Sequence, residues 1–150
     1  MQTVPNSALA TSLDNATLQP GEDFACEVET GPNFGLLLEV RAAILAKPET
    51  YSQEWFCGTA HCIAGHAVAI ADPALWLNCR DGSDFDSKEV SNRATELLRL
   101  SWDQDARLCS FPSTWPNRLR DRYLAATTDR ERAEVAADRI DHFIATGGEE

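Results

Sequence analysis

The stretch from Thr59 to Ala71 constrains this fold more than any other. Ala60, Ala64, Gly65, Ala67 and Ala69 give it almost no girth. A helix built from such small residues lets its neighbours approach closely, so it belongs at the centre with bulkier elements around it. Thr59 suits its N-cap, and it runs to about Ala71. Asp72-Pro73 then reads as a capped restart with proline in the first turn, giving a short turn to Leu77.

The flanking sequence has helical spacing throughout. Asn33 caps a helix whose Phe34, Leu37, Val40, Ile44 and Leu45 recur at steps of three and four, and Pro48 stops it after Lys47. Glu49–Glu54 is a polar connector, and Arg80–Asp84 is a loop by composition. Asp86 or Ser87 opens a further helix, with Glu89 placed for a capping box and Val90, Ala94, Leu97 and Leu98 inward. Ser101 caps a short helix through Leu108. The rigid turn Phe111–Pro116 leads to a helix near Trp115–Ala126. The last helix is the plainest: Thr128 and Glu131 form a capping box, Ala133, Val135, Ala136, Ile140, Phe143 and Ile144 make a stripe, and Gly147-Gly148 ends it. No segment alternates like a strand. The expectation is an all-α, compact single-domain bundle of five or six short helices over residues 33–150, preceded by an irregular acidic N-terminal arm over residues 1–32.

Charge divides the same way. The chain has 24 acids against 13 bases, a net charge of −11. Residues 1–32 hold Asp14, Glu22, Asp23, Glu27 and Glu29 and no base. Their Ser, Thr, Asn, Pro and Gly content favours a mobile or draped arm, one that an acidic segment uses to meet a basic protein partner. Such a balance disfavours general nucleic-acid binding and anionic membranes. The longest apolar region, Cys62–Leu77, is broken by His66, Asp72 and Pro73. No secretory leader pattern opens the chain, and the odd cysteine count (Cys26, Cys57, Cys62, Cys79, Cys109) fits free thiols in a reducing cytoplasm.

One constellation is dense in chemistry: Cys57, His61, Cys62 and His66. Three readings compete. All four are zinc ligands by type, and four would close a tetrahedral site. However, on one helix His61 points about 100° away from Cys62, and the spacing matches no familiar finger. Alternatively Cys62, in the first turn of its helix, is a thiolate nucleophile with His66 as base, but no orienting group or oxyanion hole is evident. The third reading is a core of small thiols in a tight Ala/Gly helix, with each histidine exposed or satisfied by one hydrogen bond, and it requires least. Zinc is thus the one cofactor in play, and no catalytic residue is assigned.

Trp-x-Cys-Gly-Thr-x-x-Cys-x-Ala-Gly-x-Ala, Trp55 through Ala67, resembles a motif of small bacterial and phage proteins. The Ile44–Pro48 stretch, the Phe111–Pro116 turn and Ala137–Phe143 are similar to the same family's flanking parts. The resemblance spans roughly residues 35–147 and leaves the acidic arm outside. It implies fold boundaries and carries no activity, so no site residue comes with it.

Elsewhere, Trp102, Trp115 and Tyr123 read as core plugs near helix ends. Arg118, Arg120, Arg122, Arg130 and Arg132 read as a solvated face paired with Asp121, Asp129, Glu131 and Glu134. His142 reads as a lone surface histidine. The expected function is a non-enzymatic accessory protein that binds another protein, with zinc- or thiol-dependent chemistry at Cys57–His66 as the alternative.

Overall fold

A computed structural model describes residues 30–54, 61–81 and 87–150. Among them are seven α-helices: α1 (Phe34–Ala46), α2 (Ile63–Ala71), α3 (Pro73–Asp81), α4 (Ser87–Leu98), α5 (Trp102–Leu108), α6 (Asn117–Ala125) and α7 (Asp129–Ala145). Single 3-10 turns cover Pro48–Thr50 and Pro112–Thr114. There is no strand among the described residues, and one isolated parallel bridge joins Tyr51 to His61. The all-α class holds.

Helix ends follow local chemistry. Ser101 with Gln104, and Thr128 with Glu131, form reciprocal capping boxes at the starts of α5 and α7. Asn33 does double duty. Its Oδ1 accepts from the Leu36 N–H at 3.1 Å, while its backbone N–H and Nδ2 donate to the carbonyls of Leu98 and Leu97 at the end of α4, at 2.8 and 3.2 Å. α7 ends on Gly147 and Gly148, at φ +65° and +83°, with the Gly148 N–H returning to the Phe143 carbonyl at 2.8 Å.

The thin helix is central for the reason its composition gives: α2 is buried on two sides. Ile63 and Ala67 join Leu37, Val40 and Ile44 of α1 and Ala136, Ile140 and Phe143 of α7 in the larger core. Ala64 and Val68, one position further on, join Trp76 and Cys79 of α3 and Val90 and Ala94 of α4 in a second core. Each large aliphatic so buried contributes roughly 1.5–3 kcal/mol. The alanines contribute less themselves but let both layers close on one backbone.

Several expectations are corrected. Seven helices replace five or six, because the Asp72-Pro73 restart continues to Asp81. Trp76 and Cys79, three apart and both buried against Val90 and Ala94, hold the extra turn that composition assigned to a loop. α2 begins at Ile63 with Cys62 at its N-cap, not after Thr59. His61 is pinned extended by its N–H to the Thr50 carbonyl (2.9 Å) and by the Ser52 N–H to its own carbonyl (3.1 Å), so no helix passes through it. Trp102 is 83% exposed and plugs no core, whereas Trp115 and Tyr123 are buried as expected. The acidic segment through Glu29, Thr59, and the Asp86 cap lie outside the described residues.

Candidate functional site

A polar centre lies inside the fold, and Gln53 is its hub. The turn after α1 extends the chain through Tyr51–Gln53, and the bridge to His61 brings the start of α2 alongside. Gln53 Oε1 accepts from the Tyr51 hydroxyl (3.0 Å) and the Ile63 N–H (3.3 Å). Its Nε2 donates to the carbonyls of Cys109 (2.7 Å) and Ser110 (3.0 Å), and its backbone N–H donates to the Tyr123 hydroxyl (3.2 Å). The side-chain amide thus uses both lone pairs and both protons. One residue ties the first connector, α2, the end of α5 and α6.

The histidines and Cys62 stand beside this hub. His66 is 5% exposed, with Nδ1 3.2 Å from the Cys62 carbonyl and Nε2 3.4 Å from Thr50 Oγ1. A carbonyl only accepts, so the proton sits on Nδ1 and Nε2 carries the lone pair. Thr50 gives its hydroxyl proton chiefly to the Lys47 carbonyl at 2.7 Å. Burial, and then the neighbouring His61, push the His66 pKa down to about 4, so the ring is neutral. The His61 ring packs 5.0 Å from that of His66 and edge-on, at 4.1 Å, against Trp76.

Cys62 is an N-cap whose side chain accepts no capping bond from the helix start. Burial raises its thiol pKa, outweighing the Gly65 and Ala64 amides that act the other way. It is a protonated thiol at neutral pH, and this removes the main support for a thiolate nucleophile. Burial pushes Tyr51 and Cys109 well up also.

Of the four candidate zinc ligands, the structure brings His61 and His66 together. Cys62 lies between them in sequence, and Cys57 lies outside the described residues. No three His, Cys, Asp or Glu side chains gather to hold a metal among the described residues.

The surface offers a different feature. Phe111 and Leu124, 63% and 66% exposed, line an open groove with Pro112, Ser113 and Glu54. Nothing in the spacing of these residues announced it, because the groove joins a connector, a turn and a helix. The arginine face is interleaved with acids: Arg120 with Asp121 (2.9 Å), Arg122 with Asp138 (2.6 Å), Arg130 with Glu134 (3.7 Å) and Arg132 with Asp129 (3.3 Å). Glu131 instead serves the cap of α7. His142 is half-exposed and meets Glu150 at 3.2 Å.

Arg139 is a second buried polar centre, and sequence reasoning passed over it. It lies four residues from both Val135 and Phe143, so the inward stripe of α7 was signal enough to place it inside. It is 0% exposed.

Comparison with protein-family models, curated proteins and solved structures returns no match. Among the described residues no helix is long and apolar enough to cross a membrane.

Proposed function

We propose that this chain is a non-enzymatic accessory protein, of the bacterial or phage kind suggested by the Trp55–Ala67 motif, that acts by binding another protein. The observation that carries the reading is the Phe111–Leu124 groove. Two large apolar side chains, both well exposed, frame one depression that Glu54 also lines. Contiguous apolar surface of this kind marks interaction sites. The occupant that fits is an apolar side chain with a lysine or arginine beside it: the groove takes the first and Glu54 attracts the second.

Random-peptide display tests this, with selection on the wild type and counter-selection on a Phe111→Ser/Leu124→Ser variant. Enriched peptides should pair a large apolar residue with a nearby cation and lose about tenfold in affinity on Glu54→Gln. Peptides that bind the double variant equally well would overturn it.

The acidic N-terminal segment extends the same reading. Removing residues 1–29 should weaken binding of a basic partner at low salt more than at high salt. Unchanged affinity at low salt excludes that contribution.

A second reading, zinc or thiol chemistry at Cys57–His66, draws on the 5.0 Å approach of the His61 and His66 rings. Elemental analysis of untagged protein separates the two readings: the zinc site requires about one equivalent, and under about a tenth excludes it.

A further inference from the structure

We propose that Gln53 sets the geometry of the Phe111–Leu124 groove, fixing Glu54 against its apolar walls, so that a partner must carry its cation at one set offset from its apolar side chain. The inference rests on the groove being the docking surface, as proposed above, and adds the residue that determines its selectivity.

Three separate parts of the chain build the groove. They are Glu54 in the connector after α1, Phe111, Pro112 and Ser113 in the turn after α5, and Leu124 near the end of α6. Each part is tied to Gln53. Glu54 follows it directly in the chain. Phe111 follows Ser110, whose carbonyl accepts from Gln53 Nε2 at 3.0 Å, beside the Cys109 carbonyl at 2.7 Å. Leu124 follows Tyr123, whose hydroxyl accepts from the Gln53 N–H at 3.2 Å. The far side of the turn joins the same set. The Trp115 N–H closes on the Pro112 carbonyl at 3.0 Å, and the Trp115 ring meets that of Tyr123 edge-on at 5.4 Å. One buried amide and one buried phenol therefore hold every wall.

The ties and the walls divide by exposure. Gln53 and Tyr123 are buried, whereas Glu54, Phe111, Ser113 and Leu124 are exposed, so a ligand meets only the second set. Glu54 forms no ion pair among the described residues, which leaves its charge uncommitted. Burial pushes the Tyr123 hydroxyl pKa up, its bond to Gln53 opposes the rise, and the Glu54 charge adds to it. Glu54 thus lies within electrostatic reach of the phenol that anchors its neighbour.

Selectivity follows from this fixing. An exposed carboxylate free to swing meets a cation at many offsets with little difference between them, because water and salt flatten the attraction. One whose backbone is held by a satisfied, buried network rewards only the ligand whose cation falls at the matching distance. Gln53 is in this sense a positioning residue. It touches no ligand, and it fixes which spacing the groove accepts.

The probe is a display-enriched peptide with one large apolar residue and one cationic residue, synthesised again with the cation moved one position in either direction. Affinities for the full chain are read by fluorescence anisotropy. Moving the cation should cost the wild type about tenfold. Tyr123→Phe removes the acceptor of the Gln53 N–H and keeps the ring, and should cut that penalty to about twofold. Gln53→Leu removes the side-chain ties to the Phe111 turn and should do the same; if that variant does not fold, Tyr123→Phe decides alone. Val90→Ala, in the second core, is the control for lost stability and should keep the full penalty. A wild-type penalty below about twofold, an unchanged penalty in Tyr123→Phe or an equal drop in Val90→Ala would overturn the proposal. Wild-type affinity that survives Phe111→Ser/Leu124→Ser would instead overturn the groove as the docking surface, and the proposal with it.

Discussion

Gln53 and Arg139 are both buried polar side chains, 5% and 0% exposed, yet they are partnered in opposite ways. Every hydrogen-bonding position of the Gln53 amide is filled, and the bonds reach three parts of the chain: Tyr51, Ile63 and the adjacent carbonyls of Cys109 and Ser110. Arg139 brings a full charge into the interior, where it meets the Arg107 carbonyl, a main-chain oxygen of the acidic Glu150 and the Phe143 ring, with its Nε–H left over. A satisfied amide in a low-dielectric interior fixes one arrangement of the elements around it. A charge in the same setting is costly, and the acidic Glu150 beside it offsets part of that cost. The contrast separates an amide that is satisfied at every position from a charge that is satisfied only in part.

The sharpest way to break this contrast is to remove each centre in turn. Gln53→Leu should cost about 4 kcal/mol in urea denaturation, because it strands the Tyr51 hydroxyl, the Ile63 N–H and two carbonyls together. A loss under about 1 kcal/mol would mean that the hub is dispensable.

The neighbouring His66 gives the next largest effect, through pH. Its pKa is about 4 when folded against 6.5 for a free histidine. Between those values the unfolded chain binds a proton that the folded chain refuses, so stability falls as pH drops from 6.5 to 4. The full effect is about 3 kcal/mol. His66→Gln should flatten that slope relative to wild type, and an unchanged slope would place the titration elsewhere.

Arg139→Met is the counterpart of the glutamine substitution and should change stability by no more than about 1 kcal/mol, since an apolar side chain of similar length replaces a charge that is costly to bury. A loss above about 3 kcal/mol would put Arg139 in the same class as Gln53. Phe111→Ser, out on the groove, should alter stability by less than about 0.5 kcal/mol. Equal destabilisation there and at the hub would show the groove to be part of the packing.

What the sequence revealed depended on how far away the partners of a residue lie. The ends of α7 were legible because each is set locally, Thr128 with Glu131 at the start and Gly147 and Gly148 with Ile144 and Phe143 at the finish. α1 was legible from Asn33 for the same reason. The start of α2 was misplaced because His61 is held by Thr50 and Ser52, across a connector whose pairing no local pattern encodes. The candidate site shifted with it. The angle between His61 and Cys62 was judged on a helix that neither residue belongs to, since one is in the bridge and the other is the cap. Gln53 gave no signal at all, since one glutamine in a polar connector is unremarked until α5 and α6 supply its partners. Arg139 did give one, in its spacing along α7, and was masked by the habit of reading arginine as surface.

Asn33 has a practical consequence for dissecting the acidic segment. The same side chain starts α1 and closes α4, residues 64 apart in sequence for the bond to Leu97. A truncation that stops at Thr30 leaves both helix ends intact, whereas one that runs three residues further loosens two walls of the core at once. Binding lost in the longer deletion would then report unravelling at a distance, and only the shorter cut speaks for the charge it removes.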